Sequence, residues 1–169
     1  MLKYIPEDIK IIFREIPSEV SLGINLSQCP NNCPYCSEPY LAKNIGDELN
    51  IETLLKLINI NEGITCVCFM GGDNDPDEII SLSKKVKEVF PKLKIGWYSG
   101  KDYLNENVKK NLKYFNYIKI GSWKRDLGTL SEKTTNQKFY IILDETLIDK
   151  TKELFQDCKI KNKIIYGKV

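Results

Sequence analysis

Apolar and polar positions along the chain switch between a two-residue and a 3.6-residue period, and the switches mark out its elements. Residues 9–26 read as extended, IKIIFREI and then VSLGINLS, broken at Pro17-Ser18. Ile51, Leu54, Leu55 and Ile58 recur at helical spacing and predict an amphipathic helix over residues 51–60. The apolar run 64–70, closed by Gly71-Gly72, predicts a buried strand. Asp75-Pro76-Asp77-Glu78 carries the chemistry of a helix start: Asp75 caps, Pro76 suits the first helical position, and Glu78 completes a capping-box spacing. Ile79, Leu82, Val86 and Val89 or Phe90 form that helix's apolar face, and Pro91 stops it. Strands are predicted over 93–98, 117–120 and 138–143, helices over 103–112 and 146–155, and a last strand over 163–166.

Alternating strands and helices argue for an α/β fold with a mostly parallel sheet and right-handed connections. Without repeats, low-complexity tracts or linker-like stretches, residues 1–169 read as a single domain. In such sheets ligands bind beyond the carboxyl ends of the strands. The predicted strands end in a cysteine-rich loop, Gly71-Gly72-Asp73, Ser99-Gly100-Lys101 and Gly121-Ser122, so all four segments belong on one rim.

Composition narrows the chemistry. The 169 residues include no histidine, which excludes Ser–His–Asp and Cys–His nucleophiles, His-ligated zinc and proximal-His haem. Twenty-five basic against 23 acidic residues leave a formal charge of +2, giving no footprint for nucleic acid, and Lys84-Lys85-x-Lys87 reads as a solvated helix face. No stretch has the apolar length of a membrane span, and MLKYIPEDIK is too charged for a signal peptide, so the expected location is cytoplasmic. Cysteines stay reduced there, and a tight cluster points to a metal or catalytic site rather than disulfides.

Three of the six cysteines fall within eight residues, Cys29-Pro-Asn-Asn-Cys33-Pro-Tyr-Cys36. Prolines and asparagines between them suit an irregular loop that can wrap thiolates around a soft metal. Zinc wants four ligands, which Cys66, Cys68 or a carboxylate would have to complete; an iron–sulfur cluster fits the same spacing, and spacing alone leaves both open. Cys66 and Cys68 alternate along a strand expected to be buried and read as small core residues; Cys158 reads as a free thiol.

Cys29-x3-Cys33-x2-Cys36 with Tyr35 before the last cysteine resembles the signature of radical S-adenosylmethionine enzymes. SLGINLSQCPNNCPYCSEPYL, VCFMGGD, WYSG and YIKIGSWKRDLGTLSEKTTNQKFY, in that order over about three-quarters of the chain, resemble the activases of anaerobic class III ribonucleotide reductases. The resemblance implies an incomplete α/β barrel of the radical S-adenosylmethionine type, and the chain is shorter than the roughly 250 residues of a complete barrel. It implies one 4Fe–4S cluster on Cys29, Cys33 and Cys36, with an open iron that chelates S-adenosylmethionine. It further implies reductive cleavage of that cofactor to a 5′-deoxyadenosyl radical, which makes a glycyl radical on the large subunit of anaerobic ribonucleoside-triphosphate reductase. A reduced flavodoxin or ferredoxin is the implied electron donor, and a homodimer is compatible with it. Tyr35 is implied to lie near the adenine, and the Gly71-Gly72-Asp73 segment to hold the cofactor's amino group, with Asp73 one methylene shorter than the family's usual glutamate. No side chain is assigned as a catalytic acid or base.

Alone, Gly71-Gly72-Asp73 reads as a strand-to-helix turn, although paired glycines also let a ligand approach the backbone. Ser99 suits either a ribose or carboxylate contact or a helix cap. Lys101 reads first as solvated, and Lys119, interrupting an apolar strand, as facing a cofactor or snorkelling from an edge. Thr135-Asn136-Gln137 marks the branch by resemblance; contact with the reductase or a plain turn are its alternatives. Activation of another glycyl-radical enzyme, of the pyruvate formate-lyase type, is the nearest alternative function, and a non-catalytic zinc-stabilised binding module is the alternative from another class.

Overall fold

Four short strands with buried apolar side chains form the centre of the molecule in the computed structural model, which describes residues 1–157. The chain runs through β1 (Lys3–Tyr4), β2 (Lys10–Ile12), β3 (Ser21–Asn25), β4 (Asp47–Glu48), α1 (Ile51–Ile60), β5 (Cys66–Met70), α2 (Pro76–Val89), β6 (Lys94–Tyr98), α3 (Glu106–Lys110), β7 (Tyr117–Ile120), β8 (Lys138–Leu143) and β9 (Thr146–Asp149). Seven strands make one mixed sheet in the order β2-β3-β5-β6-β7-β8-β9, and β1 pairs with β4 beside it. The central four, β3, β5, β6 and β7, are parallel; β2, β8 and β9 are antiparallel to their neighbours.

The period-2 alternation separates two cores. Val67 and Phe69 of β5, with Leu22, Ile24, Ile95, Trp97 and Ile118, face α1, α2 and α3. Cys66, Cys68, Tyr117 and Phe139 face the other side, where Ile12, Ile16 and Leu130 cover them. Both β5 cysteines are therefore buried core residues, as their spacing suggested. Ile16 packs so closely under Gly96 that a Cβ there would stand 2.2 Å from its Cδ1. Beside it Glu19 is buried and accepts hydrogen bonds from Thr65, Lys94 and Tyr117, which ties the 13–20 segment across the starting ends of the strands.

Helix starts follow the local chemistry: Asn50 caps Thr53 N–H, Asp75 caps Glu78 N–H, and Asn105 caps Val108 N–H. The reciprocal arm of the capping box is not made, because the Asp75 N–H donates to the Gly72 carbonyl. Three sequence expectations need correction. The helix expected over 103–112 is only Glu106–Lys110 followed by a 3-10 turn at Leu112–Tyr114, since the Asn105 cap starts it three residues late. The helix expected over 146–155 is instead β9 and a short π-helical turn, Lys152–Gln156. Asp144 and Glu145 both take positive φ (48° and 58°), which makes a two-residue hairpin between β8 and β9. Lys87 is not fully solvated: its ammonium donates to the Leu93 carbonyl and to Asn116 Oδ1, and burial lowers its pKa. Cys158 and the strand expected over 163–166 lie outside the described residues. Among the described residues, no helix is long and apolar enough to cross a membrane.

Candidate functional site

The loop after β3 is stitched into a hairpin-like arch at its base. Gln28 N–H donates to the Lys43 carbonyl, Cys29 N–H to that of Leu41, and Ser27 Oγ to that of Ile45. Within the arch Gln28, Asn32 and Tyr35 all have positive φ, so the backbone coils instead of extending. The coil turns Cys29, Cys33 and Cys36, all half-buried and free of disulfides, onto one cleft of about 310 Å³. Opposite them stand Gly71, Asp73, Ser99, Gly100, Lys119, Gly121 and Gln137, from the ends of β5, β6 and β7 and the approach to β8. The four rim segments expected from the strand order thus do meet, although Gly72 lies buried just beneath the cleft wall.

Asp73 is the hub of this rim. Its carboxylate, 9% exposed, accepts from Ser99 Oγ (2.5 Å), Gly100 N–H (2.7 Å) and Asn31 Nδ2 (2.6 Å). Asn31 sits between two of the cysteines and also approaches Cys29 Sγ at 3.6 Å, so the carboxylate fastens the cysteine loop to the ends of β5 and β6. Gly71 and Gly72 have φ of 107° and 87°, and a Cβ on Gly72 would come within 2.7 Å of Ile79. A Cβ on Gly100 would meet Asn31 Nδ2 at 2.4 Å and push that bond apart. Ser99 Oγ also accepts from Lys101 N–H, so its hydroxyl serves the turn as well as Asp73.

Lys119 lines the cleft from an interior strand, not a sheet edge, which removes the edge-snorkelling reading. Its ammonium donates to the Gly121 carbonyl at 2.9 Å and lies 6.0 Å from the Tyr98 ring centroid. Burial pulls its pKa down to about 8, against the opposing pull of Asp73, Cys33 and Asp102. Tyr35 stands elsewhere. Its ring is 73% exposed, the Arg125 guanidinium lies 4.8 Å from its centroid, and Trp123 Nε1 donates to its carbonyl. These contacts belong to a separate pocket on the outer side of the loop. Lys101 turns away from the cleft into a small adjoining pocket. Of the 135–137 segment, Asn136 bonds Ser122 and Asp102, and Gln137 reaches the cleft.

Sequence reasoning did not single out Asn31, Asn25 or the cleft position of Gln137. Asn25 did carry a signal, as a lone amide at the end of the fully buried β3. Among the described residues no group of three or more His, Cys, Asp or Glu side chains is arranged to hold a metal ion. The three thiols share a cleft without forming such a group. Comparison with known proteins found no matching family model, no matching curated protein and no matching solved structure.

Proposed function

We propose that the chain is a radical S-adenosylmethionine activase of anaerobic ribonucleoside-triphosphate reductase, with the sheet serving as an incomplete α/β barrel. The observation that carries this reading is the single cleft. Three unpaired thiols form one wall, and the glycine and carboxylate ends of the sheet's parallel central strands form the other. Cys29, Cys33 and Cys36 are the proposed ligands of a 4Fe–4S cluster, which when bound supplies the electron that splits S-adenosylmethionine into methionine and the 5′-deoxyadenosyl radical that oxidises a glycine of the reductase.

The chain's own residues then have positioning tasks. Asp73 and Asn31 fix the distance between the cysteine loop and the strand ends. The positive-φ backbone of Gly71 and Gly72 keeps that wall free of side chains, so a cofactor can lie against the main chain. Two protein donors occupy one Asp73 oxygen and the Ser99 hydroxyl the other, leaving little acceptor capacity for a ligand ammonium. The Gly71 and Gly72 carbonyls each accept one protein bond as well, from Trp97 Nε1 and Asp75 N–H, so the amino group of S-adenosylmethionine is assigned to the second lone pairs of the 71–73 carbonyls, with Asp73 supplying negative charge nearby. Ser99 shapes this wall, whereas Tyr35 stands on the outer side of the cysteine loop, outside the cleft. A reduced flavodoxin or ferredoxin is the proposed electron donor, and the setting is cytoplasmic.

Anaerobic reconstitution should give about four iron and four sulfide per chain. With reductant and S-adenosylmethionine the loaded protein should release 5′-deoxyadenosine; with the reductase subunit added, it should produce the glycyl doublet in electron paramagnetic resonance. A Cys33→Ala protein that forms 5′-deoxyadenosine at the wild-type rate refutes the mechanism. Cleavage without a doublet moves the assignment to another glycyl-radical enzyme.

A further inference from the structure

Two amide side chains in the cleft have no hydrogen-bond partner among the described residues, although both are more than nine-tenths buried: Asn25 at 5% exposure and Gln137 at 7%. Neither amide is among the fully buried polar atoms that lack a partner, so what little of each side chain is exposed includes its polar end, open to the cleft where a ligand can meet it. The two sit on different walls. Asn25 ends β3, beside Met70 in the sheet register and next to the cysteine loop. Gln137 precedes β8, four places from β3 in the sheet order, with Lys119, Gly121 and Trp123 as the nearest cleft lining in sequence and strand order. Gly121 is pressed against it: a Cβ there would lie 2.7 Å from Gln137 Cα, so the segment cannot slide outwards on that side.

We infer that Gln137 holds the main chain of the glycine-bearing peptide segment of the partner protein at the β7–β8 end of the cleft. This rests on the activase reading. The cysteine loop and the ends of β5 and β6 are committed to the cluster and cofactor, which leaves this end for the second substrate. A glycine has no side chain to recognise, so only its own and its neighbours' N–H and C=O groups can orient its Cα–H bond. A primary amide matches that task because it donates and accepts at once, as a peptide group does. In the step so positioned, the glycine Cα–H bond breaks and its hydrogen atom joins the 5′ carbon of the deoxyadenosyl radical. The product is 5′-deoxyadenosine, the unpaired electron remains on Cα, and the electron that cleaved the cofactor came from the external donor. Gln137 exchanges no proton; it sets the distance and angle for the transfer.

The test uses the cluster-loaded full chain and the anaerobic reductase large subunit of the same organism, comparing wild type with Gln137→Met and Gln137→Glu. Met keeps length and removes both hydrogen-bonding functions; Glu keeps size and an acceptor but loses the donor. We expect the KM for the reductase subunit to rise about tenfold, and glycyl radical formed per 5′-deoxyadenosine released to fall at least threefold, in both variants. Iron content and circular dichroism identify a variant that has lost its fold, in which case the other one decides. A wild-type ratio and KM in a folded variant overturn the assignment. So does a matching loss of S-adenosylmethionine affinity by equilibrium dialysis, which would give the amide to the cofactor. If the wild-type chain releases no 5′-deoxyadenosine, the activase reading itself fails, and this inference fails with it.

Discussion

Removing the Asp73 carboxylate tests whether this one side chain ties the cysteine loop to the sheet. In Asp73→Ala three donors lose their acceptor at once: the Ser99 hydroxyl, the Gly100 N–H and the Asn31 amide. Charge-assisted bonds of this kind contribute about 1.5–3 kcal/mol each, and orphaned buried donors add a desolvation cost. The three share one acceptor, so their energies do not simply add, and about 4 kcal/mol is the expected loss. Asp73→Asn is a milder change. Its carbonyl oxygen can still accept from Gly100 and Asn31 while its amide donates to Ser99 Oγ, so the charge and the Ser99 hydroxyl's acceptor are lost, at about 1.5 kcal/mol. In a chain of this size those figures correspond to melting shifts of roughly 8–16 °C and 3–6 °C. Urea unfolding of the metal-free, reduced chain followed by tryptophan fluorescence measures both, and Trp97 is a local reporter because its indole donates to the Gly71 carbonyl. The alanine variant should also expose the 29–36 loop to proteolysis before global unfolding. An alanine cost below 1 kcal/mol, or equal costs for alanine and asparagine, refutes the hub.

Glu19 gives a pH signature. Burial pushes its pKa up, but the bonds from Lys94, Thr65 and Tyr117 outweigh that and hold it below the ordinary 4.5, so its stabilisation is present above that pH and disappears as pH falls through the lowered value. Glu19→Gln should flatten this part of the acid-unfolding profile and cost about 2 kcal/mol at neutral pH, with little of that from the half-exposed Lys94; an unchanged acid profile contradicts it. The thiols should divide by burial: iodoacetamide on the native metal-free chain labels Cys29, Cys33 and Cys36, while Cys66, pushed up to about 12 by burial, and fully buried Cys68 react only after unfolding. Mass spectrometry of the labelled peptides decides, and early labelling of Cys66 or Cys68 refutes the buried assignment. At the β8–β9 turn, Asp144→Asn with Glu145→Gly relieves two positive-φ residues and should stabilise by about 1 kcal/mol in urea titration; no gain would contradict the left-handed turn.

Where side-chain periodicity decided the outcome, the sequence was legible: α1 and β7 begin and end at the residues their patterns indicated. The stretch after β8 was not. Its apolar residues, Leu147, Ile148, Leu154 and Phe155, satisfy a helical spacing nearly as well as a strand followed by a turn. The hairpin that decided between them uses Asp-Glu in place of the Asn-Gly or Asp-Gly that normally announces such a turn. The rim followed from strand order, since parallel strands must end on one side, and that logic located the cysteines, the 71–73 segment and Ser99 without any contact being known. What it could not supply was wiring. Asn31 looks like loop filler until the fold sets Asp73 opposite it, and a positive φ in mid-loop turns Tyr35 to the outside. Gln137 is one polar residue among several until the fold sets its side chain on the cleft.

The packed layer beneath the cleft sets a traffic rule for whatever works there. Ile16 beneath Gly96 and the Glu19 cluster close the strands' starting ends, and Cys68, Tyr117 and Phe139 fill the space between those ends and the cleft floor. Among the described residues that layer closes the strand-start side, so a ligand reaches the floor from the side of the strands' carboxyl ends. On the activase reading, S-adenosylmethionine then lies between the packed floor and the reductase, and has to be seated before the reductase covers that side.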